Sequence, residues 1–254
     1  MTKSFLNSVV VIPARFESTR FPGKPLEKID QKPMIQHVYE QASLARRPSE
    51  VIVATDDKRI KLAVESFGGA VKMTAKTHQS GTERIAEIIP KLDTDLVVNV
   101  QADEPLIDPA SIDAAIEPFD SDPELIVSTI KSLATQEELK DSNVVKVVTD
   151  HKGYALYFSR SSIPFHKRNN EFQDIFFKHI GLYVYHKIFF DNFSKLLKCE
   201  LEQLENLEQL RFLYNGYRIK VIHYESKSIG VDTPEDLVKV KRILEKGSKK
   251  LADK

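Results

Sequence analysis

Three cationic side chains crowd one short polar segment directly after an apolar run. The run covers residues 8–14, and Arg15, Arg20 and Lys24 follow it among hydroxyl side chains and Gly23. Like charges this close in sequence repel one another unless they are solvated or bind an anion. The segment is not a P-loop, because it lacks the first glycine and Lys24 is followed by proline. Two interpretations stay open: a solvated basic loop, or a cradle for a polyphosphate.

Two aspartates supply the opposite charge. Asp103 ends the apolar run DLVVNVQAD, and Asp232 lies just outside a predicted helix that Thr233 would cap and Pro234 would begin. A carboxylate beside phosphates needs a cation, and proteins bind Mg²⁺ through one or two carboxylates together with substrate phosphates. Both aspartates are therefore candidate magnesium ligands. For Asp232 the alternative is that it only complements the helix dipole.

Several other polar side chains read as ordinary surface or capping residues when each is taken alone. Ser80 and Gly81 begin a predicted helix with Arg84 one turn in, which fits anion binding or simple capping equally. His179 and Tyr183 alternate with apolar residues, as in a half-buried strand. The other residues of this kind are Arg160, Glu208 and Gln209.

Alternating apolar strands and amphipathic helices must position these residues. Strand-like runs occupy residues 8–14, 50–56, 70–74, 95–103 and 125–133, with segments of near-helical apolar spacing between them. Repeated strand-helix-strand units predict right-handed crossovers and an α/β fold, a mostly parallel sheet with helices on both faces. Ligands of such sheets bind at the carboxyl ends of the strands, where the polar segments begin.

The alternation of predicted strands and helices ends after residue 143. Three runs there predict antiparallel strands, and a helical pair, one more strand and a helix from Pro234 to about residue 246 follow. We expect a single domain over residues 1–254 with a smaller antiparallel subregion at about 145–190.

Composition bounds the partners. Lys plus Arg equals Asp plus Glu at 37 each, so no basic surplus points to nucleic acid. The apolar stretch near the N-terminus is too short for a membrane span and lacks a signal-peptide cleavage site. The single cysteine, Cys199, excludes an internal disulfide. We expect a cytoplasmic protein with no nucleic-acid partner and no membrane insertion.

In their order, these motifs resemble those of the 3-deoxy-D-manno-octulosonate cytidylyltransferases, also called CMP-Kdo synthetases. The matching segments span nearly the whole chain and include FPGKPL, VATDD, HQSGTER, VVNVQADEP, YFSRSSIPF, KHIGLYVY, LEQLRFL and GVDTPEDL. The resemblance implies a Rossmann-like nucleotidyltransferase sheet and a homodimer formed through the antiparallel subregion. It also implies Mg²⁺-dependent cytidylyl transfer from CTP to an eight-carbon 2-keto sugar acid, with release of pyrophosphate, for bacterial lipopolysaccharide biosynthesis.

The same resemblance assigns roles position by position. The catalytic residues would be Arg15, Lys24, Asp103 and Asp232, of which the two aspartates would bind the metal. The nucleotide would contact Pro13, Ala14, Arg15, Lys24, Ser80 and Gln101. The sugar pocket would be lined by Arg84, Arg160, His179, Tyr183, Glu208 and Gln209. Arg20 would hold the loop or a neighbouring acid.

Two departures from the family pattern bear on the substrate. Ala102 replaces the glycine of QGDEP, and Ser228 and Ile229 replace a Gly-Thr pair ahead of GVDTPEDL. The 8-amino analogue of the sugar and nine-carbon sialic-type acids are therefore kept as alternative substrates. A nucleotide-sugar-dependent glycosyltransferase is the alternative of another class, although such enzymes normally carry a D-x-D pair where this chain has D-E-P. A non-catalytic nucleotide-binding protein is a further alternative.

Overall fold

Strands and helices alternate along the chain in this computed structural model, which describes residues 6–17, 21–166, 175–226, 228–231 and 233–252. The strands are β1 (Ser8–Ala14), β2 (Lys28–Ile29), β3 (Lys32–Pro33), β4 (Glu50–Thr55), β5 (Ala70–Met73), β6 (Leu96–Asn99), β7 (Val127–Leu133), β8 (Lys146–Thr149), β9 (Ala155–Ser159), β10 (Phe177–His186) and β11 (Ile219–His223). The helices are α1 (Met34–Ala42), α2 (Lys58–Ser66), α3 (Gly81–Ile88), α4 (Pro109–Ile116), α5 (Gln136–Lys140), α6 (Phe189–Phe193), α7 (Glu200–Glu205), α8 (Gln209–Tyr214) and α9 (Pro234–Ala252).

The chain divides into two compact units. One, which we call the parallel unit, consists of residues 7–113 and 227–254; the other, the mixed unit, consists of residues 1–6 and 114–226. The parallel unit is therefore assembled from two stretches that are far apart in sequence.

Four parallel strands form the sheet of the parallel unit. β1 pairs with β6 on one side and with β4 on the other, and β4 pairs with β5. The β-branched residues of β1 explain its central place, since Val10, Val11 and Ile12 are fully buried and suit a strand covered on both faces. Ala14 is in register with Thr55, so the carboxyl ends of these two strands lie side by side.

Helix α9 returns to the parallel unit from the far end of the sequence. Its first turn is capped as the sequence predicts, because the Thr233 hydroxyl accepts a hydrogen bond from the Asp236 backbone N–H and the Asp236 carboxylate accepts one from the Thr233 backbone N–H. One apolar cluster joins the helix to the N-terminal part of the unit. Its buried members are Ile29, Met34, Val231, Leu237 and Val240.

The mixed unit contains the antiparallel strands that the sequence predicts. β7 pairs antiparallel with β10 and parallel with β11, and β8 pairs antiparallel with both β10 and β9. The pairing of β7 with β10 shifts register between Ile180 and Tyr183, which marks a β-bulge. Aromatic side chains fill the core beside this sheet, with Tyr185 stacked on Phe189 at 5.0 Å between ring centroids.

The α/β fold class with a mainly parallel sheet and a smaller antiparallel part is confirmed, and several predicted boundaries change. The strand predicted at 95–103 ends at Asn99, so Asp103 lies in a turn beyond the strand. The strand predicted at 125–133 begins at Val127, and helix α9 runs to Ala252. No helix among the described residues is long and apolar enough to cross a membrane.

Candidate functional site

Lys24 and Asp103 form an ion pair in the parallel unit. The Lys24 ammonium lies 2.6 Å from Asp103 Oδ2 and donates a second hydrogen bond of 2.8 Å to the Val231 carbonyl. The Val231 backbone N–H in turn donates to the Asp103 carbonyl at 2.8 Å. The predicted proximity of the basic loop and Asp103 is therefore confirmed. The Lys24 ammonium therefore connects its own loop with the segments of Asp103 and Val231, which are far apart in sequence.

Gly23 allows the chain to place Lys24 at this point. Gly23 has φ +74°, a left-handed conformation that a residue with a Cβ adopts only at a cost, and Pro25 follows in a short turn of 3₁₀ helix. The Gly23 N–H donates to the Phe16 carbonyl at 2.8 Å, which joins two residues near the ends of the basic loop. A Cβ at Gly23 would lie 3.1 Å from the Phe16 ring, so the ring and the glycine are in close contact.

The Phe16 ring also contacts a cation from helix α2. The guanidinium carbon of Arg59 lies 3.3 Å from the ring centroid. Asp57 caps the helix and binds the same guanidinium through two hydrogen bonds of 2.9 and 2.6 Å. The bonds from Arg59 lower the pKa of the Asp57 carboxyl to about 2. Asp57 and Arg59 therefore support the base of the loop between Arg15 and Lys24.

The structure describes some, but not all, of the other residues predicted for the nucleotide, the basic loop and the metal. Pro13 and Ala14 are buried at the end of β1, and Arg15 is exposed immediately after it, at the mouth of the basic loop. Arg20 and Asp232 lie outside the described residues. The contacts of Val231 bring the backbone directly before Asp232 beside Lys24 and Asp103.

Ser80 begins helix α3 as predicted. Its hydroxyl accepts a hydrogen bond of 3.1 Å from the Glu83 backbone N–H, so it is the N-cap. The first turn lies directly on β1, because a Cβ at Gly81 would come within 2.9 Å of Pro13 Cγ. Only a glycine allows this close contact between helix and strand.

Arg84, one turn into α3, is buried. Its guanidinium forms an ion pair of 3.1 Å with Asp56 and also donates to the Thr74 hydroxyl and, at 3.4 Å, to the Ala75 carbonyl. These partners follow β4 and β5, so Arg84 ties the ends of two strands to the helix. Its predicted role in the sugar pocket stays a prediction.

The QADEP segment contacts the C-terminal stretch through the neighbours of Asp103. The Ser228 hydroxyl donates to Glu104 Oε2, and a Cβ at Gly230 would lie 3.1 Å from Glu104 Oε1. Ile229 packs against the apolar cluster that contains Val231. Ser228, a departure from the family pattern, thus links the two segments that carry the predicted metal ligands.

Two residues beside Asp103 have fewer contacts. Gln101 donates a hydrogen bond of 3.3 Å to Asn99. Nothing in the structure explains the alanine at position 102.

The donor set fits a magnesium ion that is shared with phosphates. Asp103 is 30% exposed and already binds a cation, the Lys24 ammonium. The same ammonium also donates to the Val231 carbonyl. Within the described ranges no three His, Cys, Asp or Glu side chains are placed to hold a metal ion by themselves. Mg²⁺ commonly takes one or two protein carboxylates and completes its shell with substrate phosphates and water, which suits this arrangement.

The mixed unit holds a buried polar group of predicted sugar ligands. His179 Nε2 lies 3.0 Å from the Thr129 hydroxyl, and the imidazole is 5.1 Å from the Phe158 ring and 5.2 Å from the Tyr183 ring. Burial lowers the pKa of His179 to about 3, so its ring is neutral near pH 7. Burial also raises the pKa of Tyr183 well above its usual value.

Arg160 is placed by backbone carbonyls. Its guanidinium donates to the carbonyls of Glu205 at 2.7 Å, Ser142 at 3.0 Å and Asn206 at 3.4 Å. Asn206 has φ +52° and ends helix α7 directly before the segment with Glu208 and Gln209. Arg160 therefore braces the turn ahead of two other predicted sugar residues.

Comparison with known proteins fits this architecture. The family model for cytidylyltransferases matches residues 9–222. The 3-deoxy-manno-octulosonate cytidylyltransferase of Geotalea daltonii is 52% identical over 93% of this chain and 98% of its own. The enzyme of the same name from Solibacter usitatus is 53% identical over 92% of each chain. A solved CMP:2-keto-3-deoxy-manno-octonic acid synthetase complexed with CTP has a TM-score of 0.90 and 41% identity, covering 95% of this chain and 99% of its own.

The parallel sheet and the matched family model define the class of this protein: it is a nucleotidyltransferase. Its relatives make the class more specific. The chain belongs to the 3-deoxy-manno-octulosonate cytidylyltransferase family.

Proposed function

We propose that this protein transfers a cytidylyl group from CTP to 3-deoxy-manno-octulosonate, giving the CMP-sugar and pyrophosphate. The relatives at about half identity carry that enzyme name over nearly the full chain, and a similar solved structure contains CTP. The observation of this structure that carries the proposal is the Lys24 ammonium held between Asp103 and Val231. A cation and a carboxylate side by side are the two groups that a metal-bound triphosphate needs, and this supports the proposal.

The proposed nucleotide ligands lie in the parallel unit. Arg15 is exposed beside β1 and Lys24 stands at the far end of the same loop, so both can contact phosphate oxygens. Phosphoryl-type transfer depends on positioning and charge neutralisation, and no protein nucleophile is required. The anomeric hydroxyl of the sugar acid would attack the α-phosphorus, and pyrophosphate would leave. Ser80 and Gln101 are proposed to contact the nucleotide.

Magnesium is the proposed cofactor, with Asp103 and Asp232 as its protein ligands. When bound, it would neutralise charge on the phosphate oxygens and on the leaving pyrophosphate. Asp103→Asn should therefore abolish magnesium-dependent turnover and leave the circular dichroism spectrum unchanged. Near-normal activity of this variant would remove Asp103 from the metal site. Asp95→Asn, in the same unit, is a matched control that should keep full turnover.

The sugar acid is the second substrate of the proposed reaction. His179, Tyr183, Glu208 and Gln209 lie in the mixed unit and are the proposed sugar ligands. The 8-amino analogue differs from the eight-carbon acid in one group, which a single polar contact can distinguish or tolerate. Pyrophosphate release with CTP should be measured against the eight-carbon acid, its 8-amino analogue and a nine-carbon sialic acid. Release with the first acid is expected, and binding of CTP without release on any of the three would contradict an enzymatic function.

A homodimer through the antiparallel strands is also proposed. Strand β9 pairs with β8 and exposes Leu156 to 62%, and Leu204 on α7 is 80% exposed. We propose that these two side chains are covered in the dimer. Light scattering should give twice the chain mass, and Leu156→Asp should give the monomer. The cytoplasmic location stays a prediction.

A further inference from the structure

Thr129 occupies the point where the bulge of β10 brings several polar atoms together. Its buried hydroxyl lies 2.7 Å from the Leu182 carbonyl and 3.3 Å from the Ile180 carbonyl, and 3.0 Å from His179 Nε2. The register shift between Ile180 and Tyr183 makes both carbonyls available to one side chain of β7. Thr129 was not singled out in the sequence, since it is one of several small polar residues in β7.

The hydrogen bond that the Thr129 hydroxyl donates determines which nitrogen of the His179 ring carries a proton. Two oxygens only 2.7 Å apart repel each other unless a proton lies between them, and a carbonyl oxygen only accepts, so the geometry assigns the Thr129 O–H to the Leu182 carbonyl. The hydroxyl oxygen can then only accept from His179, which requires a proton on Nε2. The ring is neutral near pH 7 because burial lowers the pKa of His179 to about 3. In the neutral ring with a proton on Nε2, the other nitrogen, Nδ1, carries a lone pair.

We propose that Thr129 is a positioning residue that fixes His179 as the Nε2–H tautomer, so that the imidazole accepts a hydrogen bond at Nδ1 from a hydroxyl of the sugar acid. The inference rests on the proposed function for the identity of the ligand. A nitrogen with a lone pair attracts a hydroxyl proton and repels a carboxylate. The contact is therefore with a hydroxyl of the sugar and not with its acid group.

The tautomer can be measured without any substrate. In the ligand-free protein, two-bond ¹H–¹⁵N correlation spectra distinguish a protonated from an unprotonated ring nitrogen, and the His179 signals are assigned by their loss in His179→Gln. The expected result at pH 7 is a protonated Nε2 and an unprotonated Nδ1. A protonated Nδ1, or a doubly protonated ring, would overturn the proposal whatever the activity of the enzyme.

Substitution of Thr129 tests its part in fixing the ring. Thr129→Val removes the acceptor at nearly constant volume, so the spectrum should change to a mixture of tautomers. The KM for the sugar acid should rise about tenfold, because one hydrogen bond is weakened, while the KM for CTP stays unchanged. Thr129→Ser keeps the hydroxyl and should restore the single tautomer and the wild-type KM. If Thr129→Val does not fold, Thr129→Ser and the wild-type spectrum still decide the matter, since loss of the Nε2–H tautomer in the serine variant contradicts the role of the hydroxyl.

The two proposals fail in different ways. If the protein shows the expected spectra but releases no pyrophosphate with any sugar acid, the tautomer assignment is confirmed and the proposed function is wrong. The opposite result, turnover of the sugar acid with Nδ1 protonated, would remove only the role of Thr129.

Discussion

The ammonium of Lys24 lies 2.6 Å from Asp103 Oδ2, so a protein cation occupies the carboxylate that we propose as a metal ligand. Both side chains are partly shielded, at 14% and 30% exposure, which strengthens their attraction relative to a surface pair. Binding of a metal-nucleotide complex would replace this contact, because the phosphates attract Lys24 and the metal attracts Asp103. The ion pair therefore keeps the aspartate neutralised until the nucleotide arrives.

Removal of the Lys24 charge should increase the affinity of the nucleotide-free protein for a divalent metal ion. Lys24→Met leaves Asp103 without this cation, so the nucleotide-free protein should bind Mn²⁺ about tenfold more tightly, since one unit of competing charge is lost. Electron paramagnetic resonance of free Mn²⁺ measures this directly. Turnover should fall by orders of magnitude, because the lysine no longer contacts the triphosphate. Lys28→Met in the same unit is the matched control, and equal Mn²⁺ affinity in both variants would contradict the exchange.

Arg59 should affect CTP binding although it is not expected to touch the nucleotide. Arg59→Ala removes the cation that rests on Phe16 and the partner of Asp57, so the loop with Arg15 and Lys24 loses its support. The KM for CTP should rise about tenfold and the KM for the sugar acid should stay constant, as expected for a contact that orients a binding loop.

Lys61→Ala provides the control for Arg59, because Lys61 is on the same helix and its side chain forms a salt bridge with Glu65, at 3.5 Å. It should keep the wild-type KM for CTP. Arg59→Lys retains a cation that can lie over the ring and should recover part of the loss. An unchanged KM in Arg59→Ala would show that the loop holds its conformation without the stacked guanidinium.

Gly81 should be intolerant of even one methyl group. In Gly81→Ala the new Cβ would lie 2.9 Å from Pro13 Cγ, so the start of α3 or the end of β1 must shift. Overpacking of this kind costs about 1 to 3 kcal/mol of folding stability. The KM for CTP should rise together with this loss, since Pro13 and Ser80 are both predicted nucleotide residues. Chemical denaturation and steady-state kinetics check the two effects separately, and a wild-type KM would mean that neither residue is near the base.

The buried imidazole of His179 should make stability depend on pH. Its pKa is about 3 in the folded protein, whereas an unfolded chain binds this proton below the usual value of about 6.5. Between these two values the unfolded state binds more protons, so the free energy of unfolding falls as the pH falls. From pH 7.5 to pH 5 the contribution is about 2 kcal/mol.

The measurement is urea denaturation at several pH values. His179→Gln should lose this part of the pH dependence, while His151→Gln, at an exposed position, should keep it. Equal slopes in the wild type and in His179→Gln would show that the imidazole is solvated in the folded protein.

The sequence was sufficient for the fold class and for the meeting of Lys24 with Asp103, since both follow from apolar periodicity and from the rule that ligands bind at strand ends. It placed the end of β6 too late, because the apolar pattern continues to Val100 while the ladder stops at Asn99. The polar residues of the next turn are half-buried, and periodicity does not separate them from a strand.

Partners that come from distant parts of the chain were not predicted. Ser228 with Glu104 and Thr129 with His179 are pairs of ordinary residues that only the tertiary structure brings into contact. Arg59 with Phe16 belongs to the same group, although the acidic residue two positions before Arg59 was a visible sign of a helix cap. Chemistry-bearing residues have recognisable types, whereas the residues that position them do not.

The discontinuity of the parallel unit has a consequence during protein synthesis. Val231 supplies both the carbonyl that receives Lys24 and the N–H that donates to the Asp103 carbonyl, and it leaves the ribosome after both of those residues and after the whole of residues 114–226. While the mixed unit is being translated, the first stretch of the parallel unit has its strands but not α9 or the segment that completes the cation site. More than one hundred further residues must therefore be translated before this site can form. During that interval Ile29 and Met34 lack the side chains that cover them in the folded protein, and a chaperone would bind this exposed apolar surface.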